Sequence, residues 1–155
     1  MAKTVADVMS RDPIMVKPQT PIKEAIKILA EQRISGLPVV DDAGSLVGVI
    51  SETDLLWQET GVEPPVYIMF LDSVIFLENP ARHEQELHKA LGQTVGEVMS
   101  TNPVTVESDQ PLRKAAKLMQ EKSIRRLAVV NDQGKVIGIL TPGDIVRAMA
   151  AEFND

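Results

Sequence analysis

The sequence predicts an α/β (α+β) fold made of two tandem β-α-β-β-α repeats, and three observations carry that expectation. Shifted by 90 residues, Thr4–Leu56 aligns on Thr94–Val146 without a gap, and Pro13, Pro21, Gly44, Gly48 and Asp54 all recur in the second copy. Punctuation residues that coincide in this way mark an internal repeat rather than chance. Within each copy the apolar spacing alternates between helical and strand periods. The composition, 44% hydrophobic but only 3% aromatic, suits aliphatic side chains layered between helices and a small sheet.

Each copy opens with a short apolar turn, Val5–Ser10 or Val95–Ser100, followed by a brief strand at Ile14–Val16 or Val104–Val106. A helix comes next. Thr20 is expected to cap it, with Pro21 in the first helical position, because proline lacks only an N–H that is unbonded there in any case. Ile22, Ala25, Ile26, Leu29 and Ala30 recur at helical spacing, as do Leu112, Ala115, Ala116, Leu118 and Met119 in the second copy. Leu37–Val40 and Leu46–Ile50 read as strands of a tight hairpin, joined by Asp41-Asp42-Ala43-Gly44. Asn131-Asp132-Gln133-Gly134 serves the same purpose in the second copy. A last helix begins at Ser51 or Thr141. Such a three-stranded unit is marginal alone, so the two copies are expected to pack about a pseudo-twofold axis with equivalent clefts between them. The expected division is repeat one over 1–56, an insert over 57–93 and repeat two over 94–155.

Charge and composition exclude several classes of function. A formal charge of −6 and a pI near 5.0 give no basic footprint for nucleic acid. Residues 57–93 hold two basic against six acidic side chains, whereas 94–155 are balanced at eight of each, so the second repeat is the better host for an anionic ligand. There are no cysteines, which removes disulfides, thiolate metal sites and cysteine nucleophiles. The first twelve residues lack the apolar core of a signal peptide, and the most apolar run, Val66–Leu77, is too short for a bilayer. A cytoplasmic protein with no membrane partner is expected.

Two junctions carry the candidate chemistry. Ser51-Glu52-Thr53-Asp54 and Thr141-Pro142-Gly143-Asp144 each place a hydroxyl three residues before an aspartate where a strand passes into a helix. Helix capping by itself explains this pattern. A ligand site explains it too: N–H groups at a helix start attract phosphate, a hydroxyl adds a hydrogen bond, and a carboxylate accepts from both hydroxyls of a ribose. Asp144 repels phosphate and should therefore face the diol, leaving phosphate to Thr141 and to a cation. Arg126, just before a strand, is the candidate, being a planar bidentate donor; the alternative is a solvated surface arginine. The first copy has Ser35-Gly36 at the position of Arg125-Arg126 and lacks the cation.

With Gly-Leu-Pro-Val-Val-Asp-Asp-Ala-Gly followed by Gly-Val-Ile-Ser-Glu-Thr-Asp-Leu-Leu, the repeat resembles the CBS domain family, named for cystathionine β-synthase, here as a tandem pair or Bateman module. The resemblance implies clefts that in many members bind AMP, ADP, ATP, S-adenosylmethionine or related adenosyl ligands. It implies composite sites: Thr4, Met9, Ile34 and Ser35 with Arg126, Ile139, Thr141 and Asp144 in one, and Val49, Ser51 and Asp54 with Thr94, Met99, Ile124 and Arg125 in the other; the charge balance and the cation missing from the first copy make this second site the weaker. Read without the resemblance, Met9, Ile34, Met99 and Ile124 are ordinary core residues.

The insert has no counterpart in the repeat. Gly61 and Pro64-Pro65 break the chain, and Asn79-Pro80 opens a helix over Ala81–Leu91 with Leu87, Ala90 and Leu91 on one side. In His83-Glu84-Gln85-Glu86-Leu87-His88 the histidines stand five apart, about 140° around a helix, so they do not form the zinc-binding pair of a four-residue step. No catalytic set is visible, and no catalytic cofactor or metal is expected. The expected protein is therefore a non-catalytic regulatory module that binds an adenine nucleotide, forms a homodimer through Val66–Leu77 or the helices at the repeat edges, and acts on a protein in trans. The alternative is a structural or protein–protein interaction module with no small-molecule ligand.

Overall fold

A computed structural model of the chain describes residues 3–61, 67–70, 73–76 and 80–154. The element order is α1 (Val5–Val8), β1 (Ser10–Arg11), α2 (Ile22–Gln32), β2 (Gly36–Val40), β3 (Leu46–Ser51), α3 (Glu52–Thr60), β4 (Tyr67–Phe70), β5 (Ser73–Phe76) and α4 (Pro80–Leu91). The second repeat follows with α5 (Val95–Val98), β6 (Thr105–Glu107), α6 (Leu112–Lys122), β7 (Leu127–Val130), β8 (Val136–Leu140) and α7 (Pro142–Ala151), and the chain closes on a 3-10 turn over Glu152–Asn154. The β-α-β-β-α order is that expected, and the opening turn expected ahead of each copy is one turn of helix, α1 or α5.

The chain divides into two compact units whose boundaries cut across the repeats: one gathers 1–15, 40–48 and 101–155, the other 16–39 and 49–100. The opening turn of each copy thus belongs to the unit that holds the other copy's hairpin helix. In the first unit the sheet has four strands, in the order β1-β8-β7-β6, rather than the three of a single repeat. β6 runs parallel to β7, β8 returns antiparallel, and β1 of the first copy adds itself to β8 with Ser10 opposite Ile139 and Arg11 opposite Gly138. The close approach explains the glycine: a Cβ at Gly138 would stand 2.6 Å from Met9 Sδ and 2.9 Å from the Ser10 carbonyl oxygen. Val5, Met9, Val106, Ala115, Met119, Leu127, Val129 and Leu140 form the core beneath this sheet.

The second unit repeats the scheme in sparser form. Val49 bridges Ser100 antiparallel and Val16 bridges Val39 parallel, the counterparts of β1-β8 and β6-β7. Leu37, Val39, Ile50, Val95 and Val98 are fully buried there. β4 and β5 form an antiparallel pair with Tyr67 opposite Phe76; the remainder of the apolar 66–77 segment, with Pro64, Pro65 and Asn79, lies outside the described residues. So does the side chain of His83, while His88 is exposed.

Several local expectations need correction. The strand at Ile14–Val16 shrinks to the single Val16 bridge, and Ile14 and Met15 are exposed. Thr20 does not cap α2: its hydroxyl accepts the Lys17 N–H at 3.1 Å inside the preceding turn, so Pro21, with extended ψ of 141°, takes the N-cap position itself. On α2 only Ile22, Ala25 and Leu29 are buried, because the helix rests on one layer and Ile26 falls off the contact stripe. Helix α4 starts at Pro80, and Leu91 at its end is exposed rather than packed. The hairpin turns match expectation: Asp41 Oδ1 accepts from Ala43 and Ser45 N–H groups, Asn131 Oδ1 from Gln133 and Lys135, and Gly44 and Gly134 supply positive φ.

Candidate functional site

Both strand-to-helix junctions are complete capping boxes. At the second, in the first unit, the Asp144 N–H donates to Thr141 Oγ1 at 3.2 Å and the Thr141 N–H returns to Asp144 Oδ2 at 3.0 Å. At the first, in the second unit, the Asp54 N–H donates to Ser51 Oγ at 3.4 Å, and the N–H and hydroxyl of Ser51 reach Asp54 Oδ2 at 3.0 and 3.1 Å. Capping, however, occupies only one carboxylate oxygen of each aspartate. The other, Oδ1, lies outside the cap and takes further partners. Asp54 and Asp144 are the buried charged side chains among the described residues, and an ionised carboxylate so placed needs such partners.

Those partners differ. Asp144 Oδ1 accepts from Ser10 Oγ at 3.3 Å and from Arg147 Nη2 at 2.6 Å, one turn along α7. Arg147 is 71% exposed, and Gly143 leaves the space it crosses, since a Cβ there would stand 3.3 Å from its guanidinium. Asp54 Oδ1 accepts from Ser100 Oγ at 2.9 Å, the 90-residue counterpart of Ser10, and from Lys89 Nζ at 2.6 Å. Lys89 comes from α4 of the insert and is only 22% exposed. Its ammonium also donates to the Val98 carbonyl at 3.0 Å and to Ser100 Oγ at 3.2 Å.

Sequence reasoning missed these four partners. Ser10 and Ser100 recur at the repeat spacing, and Arg147 stands three residues after Asp144, a helical neighbour step; both were available signals. Nothing local ties Lys89 to Asp54, which is 35 residues away.

Of the residues assigned to the first cleft, Thr4, Met9, Arg126, Ile139, Thr141 and Asp144 fall in the first unit and Ile34 and Ser35 in the second. Ile139 stands beside Asp144 through its register with Ser10. Arg126 is half-buried immediately before β7. Met9 belongs to the core. The Thr4 hydroxyl and N–H are both committed to Asp7 Oδ2, at 3.1 and 2.9 Å. Of the second set, Val49, Ser51, Asp54, Thr94 and Met99 fall in the second unit, and Ile124 and Arg125 in the first. Thr94 is bonded to Glu97 at 3.0 Å, Ile124 packs against the first unit's core, and Arg125 is exposed. Ser35 accepts the Glu52 N–H at 2.9 Å, which sets its backbone at the start of α3.

The described residues contain no group of three or more histidine, aspartate and glutamate side chains suited to a metal ion, and no helix long and apolar enough to cross a membrane.

The CBS domain family model matches residues 5–58 and 95–151. Among curated proteins, the chloroplastic CBS domain-containing protein CBSX2 of Arabidopsis thaliana is 38% identical over 149 residues, an alignment covering 94% of this chain and 63% of that protein. A second chloroplastic protein, CBSX1, is 39% identical with the same coverage. The chain thus spans under two thirds of the length of these relatives. Among solved structures, CBSX2 in complex with AMP superposes with a TM-score of 0.80 at 34% identity, covering 98% of this chain and 99% of that one. The CBS domain pair of protein MJ0100, in complex with 5′-methylthioadenosine and S-adenosyl-L-methionine, gives 0.73 at 28%, covering 98% and 99%. The two matched segments coincide with the two repeats: the chain belongs to the CBS domain family and carries two copies of that domain.

Proposed function

We propose that this chain is a non-catalytic regulatory module that binds an adenosyl ligand, AMP in the first instance, through the Thr141–Asp144 junction. One observation carries the reading. Asp144 caps α7 with Oδ2 and keeps Oδ1 on the far side, where its strongest partner, Arg147, is an exposed side chain that can withdraw into water at little cost. A ribose diol can take that oxygen without undoing the helix cap, so capping and binding are not rivals. Thr141 at the helix start and Arg126 beside β7 are assigned the phosphate, Ile139 an apolar contact. That solved relatives hold AMP, methylthioadenosine and S-adenosylmethionine supports the ligand class. Large apolar side chains left exposed on α7 and after it, Val146, Met149 and Phe153, favour a homodimer, which sedimentation at tens of micromolar tests.

A thermal-shift panel of adenosyl ligands tests binding. A ligand at 100 times its dissociation constant stabilises by about 2.7 kcal/mol. No shift with AMP, ADP, ATP or S-adenosylmethionine would leave an interaction module in its place. Arg126→Ala is expected to weaken AMP far more than adenosine, since only AMP presents a phosphate to a guanidinium.

A further inference from the structure

The insert supplies what makes the two junctions unequal. We propose that Lys89 is a tethered occupant of the first junction: its ammonium holds the carboxylate oxygen that a ribose would need, so the Asp54 site stays closed to ligand until α4 lets go. The proposal rests on the reading that Oδ1 of these aspartates is the diol acceptor.

The donor count supports it. A carboxylate offers about four acceptor positions. At Asp54 four donors are in place: the N–H and hydroxyl of Ser51 on Oδ2, and Ser100 and Lys89 on Oδ1. Lys89 in turn has its three protons directed at Asp54, Ser100 and the Val98 carbonyl, so the ammonium is as fully engaged as the carboxylate. A diol arriving at Asp54 therefore displaces a sunken cation and strands it, whereas at Asp144 it displaces an exposed guanidinium. Breaking the first contact is much the more costly, because a charge left without its partner away from water is heavily penalised.

Helix α4 is anchored so that Lys89 stays in place. The Gln58 amide of α3 bonds to the Lys89 carbonyl oxygen and, at 3.3 Å, to that of Gly92. Gly92 makes the turn that follows possible: a Cβ there would meet the His88 carbonyl oxygen at 2.6 Å and Val98 Cγ2 at 2.7 Å. At Asp144 the paired cation, Arg147, comes instead from the capped helix itself. Because α4 belongs to the insert, occupancy of the first junction depends on a segment that the repeat does not duplicate.

The test uses calorimetry with AMP on the full chain. An Asp144→Asn background isolates the first junction; adding Lys89→Met, which keeps the length of the aliphatic stem, should raise the remaining affinity by about tenfold or more, the scale of one charge-assisted hydrogen bond. Unchanged affinity, with wild type still binding AMP through Asp144, would overturn the proposal and leave the Asp144 site standing. Weaker binding after Lys89→Met would make Lys89 a ligand contact and overturns it as well. Wild type that binds no AMP removes both the site and its occupant. Should the double variant not fold, amide exchange in the wild-type chain decides: AMP in excess of the first equivalent should speed exchange over residues 82–91 as Lys89 is displaced, and slowed or unchanged exchange while a second equivalent binds refutes the idea.

Discussion

Asp54 and Asp144 occupy equivalent positions 90 residues apart, cap equivalent helices, and each meet the serine that closes the opposite copy's opening turn. They differ in the cation. Lys89 arrives from a separate helix and is 22% exposed, while Arg147 belongs to the capped helix and is 71% exposed. The same carboxylate thus ties one junction together and leaves the other able to exchange partners. The repeat supplies two equivalent junctions, and the cation that meets each carboxylate is where they part.

The comparison predicts a double dissociation. Asp54→Ala should cost more stability than binding: it leaves the Lys89 ammonium without its counter-ion, on the order of 3 kcal/mol, together with a helix cap of about 1 kcal/mol. Asp144→Ala should cost the cap alone in stability, because Arg147 relaxes into solvent, but should lose AMP binding by tenfold or more. Chemical denaturation and calorimetry on both variants measure the two axes. Equal stability losses, or AMP binding lost only with Asp54→Ala, would show that the cation does not separate the junctions.

Geometry, rather than charge, is altered by a substitution at Gly138. Gly138→Ala puts a methyl 2.9 Å from the Ser10 carbonyl oxygen, and β1 must shift away from β8. A loss of about 1 to 3 kcal/mol is expected, as for other overpacked sites. Because Ser10 and Ile139 move with that strand pair, AMP affinity should fall with it. Retained affinity in a destabilised protein would mean that the β1-β8 register does not build the Asp144 site.

Smaller again is Arg147→Ala. As a mostly exposed pair within one helix, its stability effect should stay within about 0.5 kcal/mol, while adenosine affinity is unchanged or improved through release of Oδ1. Loss of adenosine binding would give Arg147 a direct role in holding ligand.

The order of elements was legible because duplication doubles every local signal: two glycines at hairpin turns, two Ser/Thr-x-x-Asp junctions and two aliphatic helices point the same way. The junctions could be found for the same reason. What stayed hidden depends on contacts between distant segments. The fourth strand, Ser10–Arg11, is two residues long and gains its identity only from β8. Thr20 looked like a cap because its spacing from the helix is right, yet a local turn took its hydroxyl. Lys89 reads as one more solvated lysine on an amphipathic helix, since nothing in its neighbourhood reveals that α4 sets it against Asp54. Strand pairs of this length and lone ion pairs have no period for a sequence to display.

The weakest expected effect concerns the opening turn of the first copy. There the Asp7 carboxyl is held below its ordinary value of 3.8, chiefly by the Thr4 backbone N–H, then by the Thr4 hydroxyl, with lesser help from Lys3 and Arg11. A carboxylate with a depressed folded-state pKa binds protons more weakly folded than unfolded, so its contribution to stability is present above the unfolded value and lost as pH falls through the folded one. Asp7 is fully exposed, so the effect is small and screened by salt. Asp7→Asn should accordingly be slightly less stable than wild type at pH 7 in low salt, with the gap closing as pH falls through the lowered folded-state value and the wild-type carboxyl itself takes up its proton. Denaturation curves of the two proteins at pH 7 and pH 2.5 measure this. A gap that persists undiminished at low pH would mean that Asp7 acts through packing or chain entropy, and that the turn does not depend on the ionised carboxylate at all.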